Sequence, residues 1–244
     1  METEQIKALV LSGMSLNSIT KIIPRSKSTI YYRYKKLEGA RKMRKLTLPV
    51  RQSTEVGEFI GVFAGDGNYY KDSAYRYQIR IFITATDKRY VAEIASLINS
   101  LFGVFPWVYE RKPYNVTIIR LISKPAVAFI KTYLDFNRNK SASVKLKGQI
   151  SDYDTNFIIG FLRGLLDTDG HIELKRKRLA FATISLGLAN DVEDCLKRLN
   201  VSYYSNVHID RRGNRHPMYR IYIHRDFDKF VELVEPKHFN YLRQ

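Results

Sequence analysis

The sequence predicts an α+β protein: two αββαββα repeats related by a pseudo-two-fold axis, each carrying an antiparallel sheet, behind a small all-α module. Three observations carry that expectation. GEFIGVFAGDGNYY (57–70) recurs downstream as GFLRGLLDTDGHIEL (160–174), aligning Gly57 with Gly160, Gly61 with Gly164, Gly65 with Thr168, Asp66 with Asp169 and Gly67 with Gly170. After each copy, alternating strand patterns and helical patterns follow in the same order. Residues 1–38 show no strand pattern and read as three short helices.

In that first segment TEQIKALVLSG turns Ile6, Leu9 and Val10 to one face and stops at Gly13. Ser15 caps SLNSITKII, with Leu16, Ile19, Ile22 and Ile23 inward, and Pro24 breaks the chain. Ser26 caps SKSTIYYRYKKLE, whose buried stripe is Ile30, Tyr34 and Leu37. The pattern resembles a helix-turn-helix module of the resolvase-like kind. That resemblance makes Lys27, Ser28, Tyr31, Tyr32 and Arg33 the exposed face toward DNA, where a recognition helix presents its first residues. The alternative is a helical cap on the main domain. GARKMRKLTLPVRQST (39–54) reads as a basic linker whose Arg41, Lys42, Arg44 and Lys45 suit phosphate contacts.

The two repeats span 55–150 and 151–244. Each opens on an apolar helix that carries costs: about 1 kcal/mol for each interior Gly and about 0.3–1 kcal/mol for a carboxylate at a helix C-terminus. The small residues at i, i+4 and i+8 flatten one ridge of each helix, so the two helices are expected to pack on each other through Gly57, Gly61, Gly160 and Gly164. Asp66 and Asp169 then lie side by side. An EF-hand loop is excluded by spacing, because Gly170 directly follows Asp169 and no ligand ladder continues.

The strands that follow alternate apolar and polar. In YRYQIRIFIT, Arg76, Gln78 and Arg80 take the wet face, as do His171, Glu173, Lys175 and Lys177 in HIELKRKR and Arg220 and Tyr222 in MYRIYIH. Asn68 and Tyr70 extend the first of these faces. Arg, Lys, Gln and Tyr are the side chains that contact base edges and phosphates. The formal net charge of +17 divides as +7 over 1–58, +8 over 59–150 and +2 over 151–244, so the excess is no single tail. It points to double-stranded DNA as the polyanionic partner. Cys195 is the only cysteine, which excludes a disulfide framework and a thiolate zinc site. METEQIKALV has no signal-peptide character and no uncharged apolar run approaches a membrane span. An intracellular protein is expected: cytoplasmic and nucleoid-associated in a prokaryote, organellar or nuclear in a eukaryote.

FIGVFAGDG (59–67) and LRGLLDTDG (162–170) resemble the two signature motifs of LAGLIDADG homing endonucleases in their single-chain form. Ala64 stands where the family's first aspartate usually stands, while Asp66 keeps the metal position. The resemblance implies a site-specific double-strand DNA endonuclease acting on a long asymmetric target. It also implies a monomer with internal pseudo-dimer symmetry and no obligate protein partner or membrane. Two or more Mg²⁺ would be held by Asp66 and Asp169, with the carbonyls of Gly65 and Thr168 adding ligands. Mn²⁺ is expected to substitute and Ca²⁺ to bind without supporting cleavage. The family further places a basic residue beside each acid: Lys140 in the first repeat, and His238 or Lys237 in the second. Two other functions compete, a non-catalytic DNA-binding regulator on the same scaffold and an intron RNA-splicing maturase. An intein is not expected, since the chain starts with Met and ends NYLRQ without splice-junction residues.

Overall fold

The computed structural model describes residues 2–12, 14–38, 46–73, 76–209 and 216–237, with the side chains of residues 10 and 34–38 excepted. Val10, Tyr34, Leu37, Arg41, Lys42, Arg44, Lys45 and His238 therefore lie outside what is described. The chain forms two compact units, residues 1–45 and 46–244.

In the first unit α1 (Glu2–Leu11), α2 (Leu16–Ile22) and α3 (Lys27–Glu38) enclose a small core of Ile6, Ile19, Ile23 and Ile30, with Leu9, Met14 and Leu16 against it. Both expected caps form: Ser15 Oγ accepts the Ser18 N–H and Ser26 Oγ accepts the Thr29 N–H. Ile22, expected inward, is half exposed. The helix ends there, and Ile23, in extended conformation (φ −104°, ψ 118°), takes the inward place.

The second unit begins earlier than the linker expectation. Leu46 packs against its core, Thr47 N–H donates to Phe102 O at 3.0 Å, and Gln52 bridges to the backbone of Asp152 and Asp154. Residues 46–53 are thus built into this unit. The first repeat runs α4 (Thr54–Asp66), β1 (Gly67–Lys71), β2 (Tyr77–Thr84), α5 (Lys88–Phe102), β3 (Trp107–Arg111), β4 (Val116–Ile122) and α6 (Lys124–Tyr133). A short crossover of β5 (Leu134–Asp135), α7 (Lys140–Ser143) and β6 (Lys145–Leu146), absent from the sequence expectation, leads to the second repeat. There α8 (Thr155–Asp169), β7 (Gly170–Glu173), β8 (Arg178–Thr183), α9 (Leu186–Arg198), β9 (Tyr204–His208), β10 (Met218–Ile223) and α10 (Phe227–Val234) repeat the order.

Each repeat holds a four-stranded antiparallel sheet, ordered β1-β2-β4-β3 and β7-β8-β10-β9. The registers match across the repeats. Gly67 pairs with Ile81, which pairs with Ile119; Gly170 pairs with Phe181, which pairs with Ile221. Ile79, Ile81, Leu179, Phe181, Ile221 and Ile223 face one continuous core, in which Phe59, Phe63, Phe157 and Phe161 of α4 and α8 are fully buried. The strand expected through Lys175 and Lys177 stops at Glu173. Leu174–Arg176 close a 3₁₀ turn, Lys177 N–H donates to Leu174 O and Lys177 adopts φ 45°, so both lysines stand on a turn. Among the described residues, no helix is long and apolar enough to cross a membrane.

Candidate active site and nucleic-acid face

The interior glycines of α4 and α8 meet backbone. A methyl group added at Gly57 would come within 2.1 Å of Phe157 O, and at Gly61 within 2.2 Å of Phe161 O. Reciprocally, Gly160 faces Thr54 O at 1.9 Å and Gly164 faces Glu58 O at 2.2 Å on the same measure. The contacts advance in the same sense along both helices, so α4 and α8 run parallel and bring their C-terminal ends together. There a methyl on Gly65 would strike Thr168 Oγ1 at 2.1 Å and approach Asp169 Oδ2 to 3.2 Å. The helix-propensity cost of the glycines is offset by backbone contact that no larger residue permits.

At this junction Asp66 and Asp169 border a cavity of about 320 Å³, with Ser141, Thr183 and Met218 on other walls. Burial, reinforced by the charge of Asp169, pushes the Asp66 carboxyl up to about 7, against the opposing pull of Lys140. Burial raises Asp169 as well, again opposed by Lys140. The Lys140 ammonium donates to the carbonyls of Phe63, Ala64 and Gly65 at 2.8, 2.7 and 2.7 Å, capping α4 where its dipole is negative. Burial lowers its pKa to about 8, while Asp169 and Asp66 act to raise it. At the end of α8 the cap is internal: Thr168 Oγ1 donates to Gly164 O and Leu165 O, both at 3.0 Å. Lys140 thus lies within electrostatic reach of both acids, and the Gly65 carbonyl expected as a metal ligand is one that it holds.

Lys237 is placed elsewhere. It ion-pairs with the buried Glu58, which also receives Arg163 Nη1 at 3.5 Å; Arg163 Nε in turn donates to Val234 O at 2.7 Å. Glu58 lies two helical turns before Asp66, so this cluster ties the C-terminal segment to the opposite end of the helix pair. A buried carboxylate must find cations nearby, and Glu58 claims Lys237.

The wet sheet faces are as expected in kind but not in every residue. On the first sheet Asn68, Arg80, Arg120 and Trp107 form one cross-strand row. Arg80 stacks over Tyr70 at 4.3 Å. Gln78 is buried: its amide nitrogen donates to Asp72, and its oxygen accepts Arg80 Nε and Nη2 at 3.2 and 2.9 Å. It positions Arg80 instead of facing solvent. Arg76 ion-pairs with the same Asp72 at 2.6 Å. On the second sheet the matching row is His171, Ala180, Tyr222 and Tyr204, with Arg220 beside Ala182 and Asn206. Glu173 is held by Arg178 at 2.9 Å and Arg176 at 3.2 Å, and Lys177 pairs with Asp228 at 2.7 Å. A cavity of about 550 Å³ opens along this face between Arg178, Tyr204, Asn206 and Tyr222. Sequence reasoning missed Arg120, Trp107 and Asn206. Arg120 was legible as the polar residue inside the apolar run VTIIRLI, whereas Trp107 and Asn206 lie on edge strands exposed on both faces, where alternation carries no signal. In the first unit Lys27, Ser28, Tyr31 and Tyr32 are exposed as expected, but Arg33 is tied to Glu2 at 3.0 Å.

Residues 156–235 match the family described as LAGLIDADG-like domain. No curated protein is a detectable sequence relative. Among solved structures, I-DmoI in complex with DNA and Mn superposes with a TM-score of 0.56 at 20% identity, covering 75% of this chain and 97% of that one. I-DmoI in complex with DNA and Ca gives 0.55 at 20% identity, over 75% and 91% of the two chains. The homing endonuclease I-WcaI bound to its DNA recognition sequence gives 0.50 at 19% identity, over 91% and 93%. With two in-register motif helices and two matched sheets, the chain has the fold of these endonuclease structures, and its second repeat matches the LAGLIDADG-like domain.

Proposed function

We propose that the chain is a site-specific double-strand DNA endonuclease that uses divalent cations, and that its first unit is a helix-turn-helix module adding a second DNA contact. The observation that carries the reading is the meeting of Asp66 and Asp169 at the ends of parallel, glycine-packed helices, with a half-buried lysine beside them and an arginine-bearing sheet in each repeat. The donor set fits Mg²⁺, which is bound through one or two carboxylates plus water and substrate phosphates. Both carboxylates are pushed toward protonation, chiefly by burial, and a cation held by them would offset that cost. Among the described residues no cluster of three or more His, Cys, Asp or Glu side chains offers a rival site. When bound, the cation neutralises charge on the carboxylates and on the phosphate undergoing attack. The Mn and Ca complexes of I-DmoI support divalent use.

Within that frame Asp66 and Asp169 would hold the cations and orient a scissile phosphate on each strand. Lys140, with its pKa near 8, can exchange a proton close to neutral pH and places positive charge beside the phosphate. The sheets align the duplex so that both backbones cross the helix ends.

The test is cleavage of a selected target duplex by Asp66→Asn, Asp169→Asn and Lys140→Met. Either Asn variant should lose double-strand cleavage in Mg²⁺ while binding holds or tightens, since a charge repelling phosphate is gone. Lys140→Met should slow single-turnover cleavage at least tenfold with little change in binding. Wild-type protein that binds duplex but leaves it intact in Mg²⁺ and Mn²⁺ would indicate the regulator reading. Preference for an intron RNA over any duplex would indicate the maturase.

A further inference from the structure

Two arginines face each other where a sheet would ordinarily place a compensated pair. Arg80 on β2 and Arg120 on β4 are direct register partners on the two central strands of the first sheet, and both side chains leave the face away from the core. Like charges directly opposite each other destabilise a sheet. Elsewhere this protein answers such charges with carboxylates, as Asp72 does for Arg76 and Glu173 for Arg178. Among the described residues no acid pairs with Arg80 or Arg120, and Arg120 Nε is buried without a hydrogen-bond partner. The guanidinium groups are instead held in place. Gln78 takes two N–H groups of Arg80 while Tyr70 lies under its plane, and Arg120 lies between Trp107 at 5.7 Å and Tyr109 at 5.4 Å.

We propose that Arg80 and Arg120 read guanines on neighbouring base pairs in the half-site beneath the first sheet, and that the second sheet has no counterpart. The proposal rests on the DNA-binding reading above. Guanine presents O6 and N7 together in the major groove, and the arginine fork matches that pair of acceptors. Facing side chains on adjacent strands stand about 5 Å apart, a spacing that two base pairs stacked at about 3.4 Å can serve. Central strands meet base edges, while rim positions meet phosphates. In the second sheet the same register places Ala180 where Arg80 stands and Tyr222 where Arg120 stands. Alanine there suits contact with a thymine methyl group.

The experiment selects bound duplexes from a randomised library with the full chain and with Arg80→Ala, Arg120→Ala and Arg120→Lys, alongside thermal melting of each. Wild type should enrich two adjacent guanines in one half of the site only. Each alanine variant should lower the guanine preference at one of them by about 5- to 150-fold, leaving other positions alone. Arg120→Lys keeps the charge but not the fork, so it should lose the preference too. Melting temperatures should hold or rise, because a like-charge contact is relieved. Equal losses over all sequences, rescued by Lys, would mark phosphate contacts and overturn the proposal. So would an adjacent guanine pair in both halves, or a selected site without the guanine pair. A library from which no duplex is enriched would instead overturn the DNA-binding reading, and this proposal with it.

Discussion

Asp66 is unfavourable to the empty fold, and the proposed function gives it the role that offsets this cost. Its carboxyl ionises near 4 in an unfolded chain and at about 7 in the folded one. The folded state therefore binds the proton more tightly, and stability falls as pH climbs through that window, then levels off above it. Asp66→Asn removes the titrating group. In chelator the variant should match wild type near pH 4 and gain on it up to pH 7–8, by on the order of a few kcal/mol in urea unfolding. Mg²⁺ with duplex DNA should shrink the gap. A flat difference across pH would disprove the assignment. Asp66 and Asp169 were readable in the sequence because each occurs twice in the same frame. Lys140 was readable only through the family resemblance, which places a basic residue after the last helix of each repeat. Lys237 was not, because its partner Glu58 is remote in sequence and its burial follows from helix packing that no local pattern shows. Gln78 likewise alternates as a wet residue, and only the hydrogen bonds to Asp72 and Arg80 reveal that it is covered.

At the scale of elements, the helix pair α4/α8 inverts the usual rule for glycine. Replacing an exposed helical Gly by Ala is expected to gain about 1 kcal/mol in helix propensity. At Gly61 or Gly164 the added carbon would lie 2.2 Å from a backbone carbonyl oxygen, which cannot rotate away. Overpacking of this kind costs about 1–3 kcal/mol or more, so Gly61→Ala and Gly164→Ala should each lower the urea midpoint despite the better helix former. A midpoint that rises would mean the helices separate more easily than this contact implies. The stripe of small residues was legible as a contact surface; the 3₁₀ turn at Leu174–Arg176 was not, since Ile172 and Leu174 alternate like a strand up to its first residue and the charged run that follows marks no turn.

For the molecule as a whole, the division at residue 45 defines where the chain can be cut. Residues 46–244 should fold alone, with helical and sheet content intact by circular dichroism. They should bind the selected duplex more weakly, with a shallower salt dependence and a footprint shortened at one end only. Cleavage at saturating enzyme should persist, because Asp66, Asp169 and Lys140 all remain. Cutting instead at residue 53 should cost stability, since it removes the Thr47 bond to Phe102 and the Gln52 bridge to Asp152 and Asp154. An unchanged footprint for 46–244 would make the first unit a structural cap. The sequence suggested a linker running to residue 54, and its polar composition concealed that its second half is anchored.

The crossover that joins the repeats is itself fastened to the second one: Ser185 Oγ donates to Val144 O at 2.6 Å, and Asp191 Oδ2 accepts the Leu146 N–H at 2.5 Å. Two such halves on separate chains would part on dilution, and their stability would depend on how much protein was present. Joined, they meet at a concentration set by the tether, so a cell holding only a few copies holds them already assembled. The join also frees each half to drift in sequence without its twin changing in step, which a pair of identical subunits can never do.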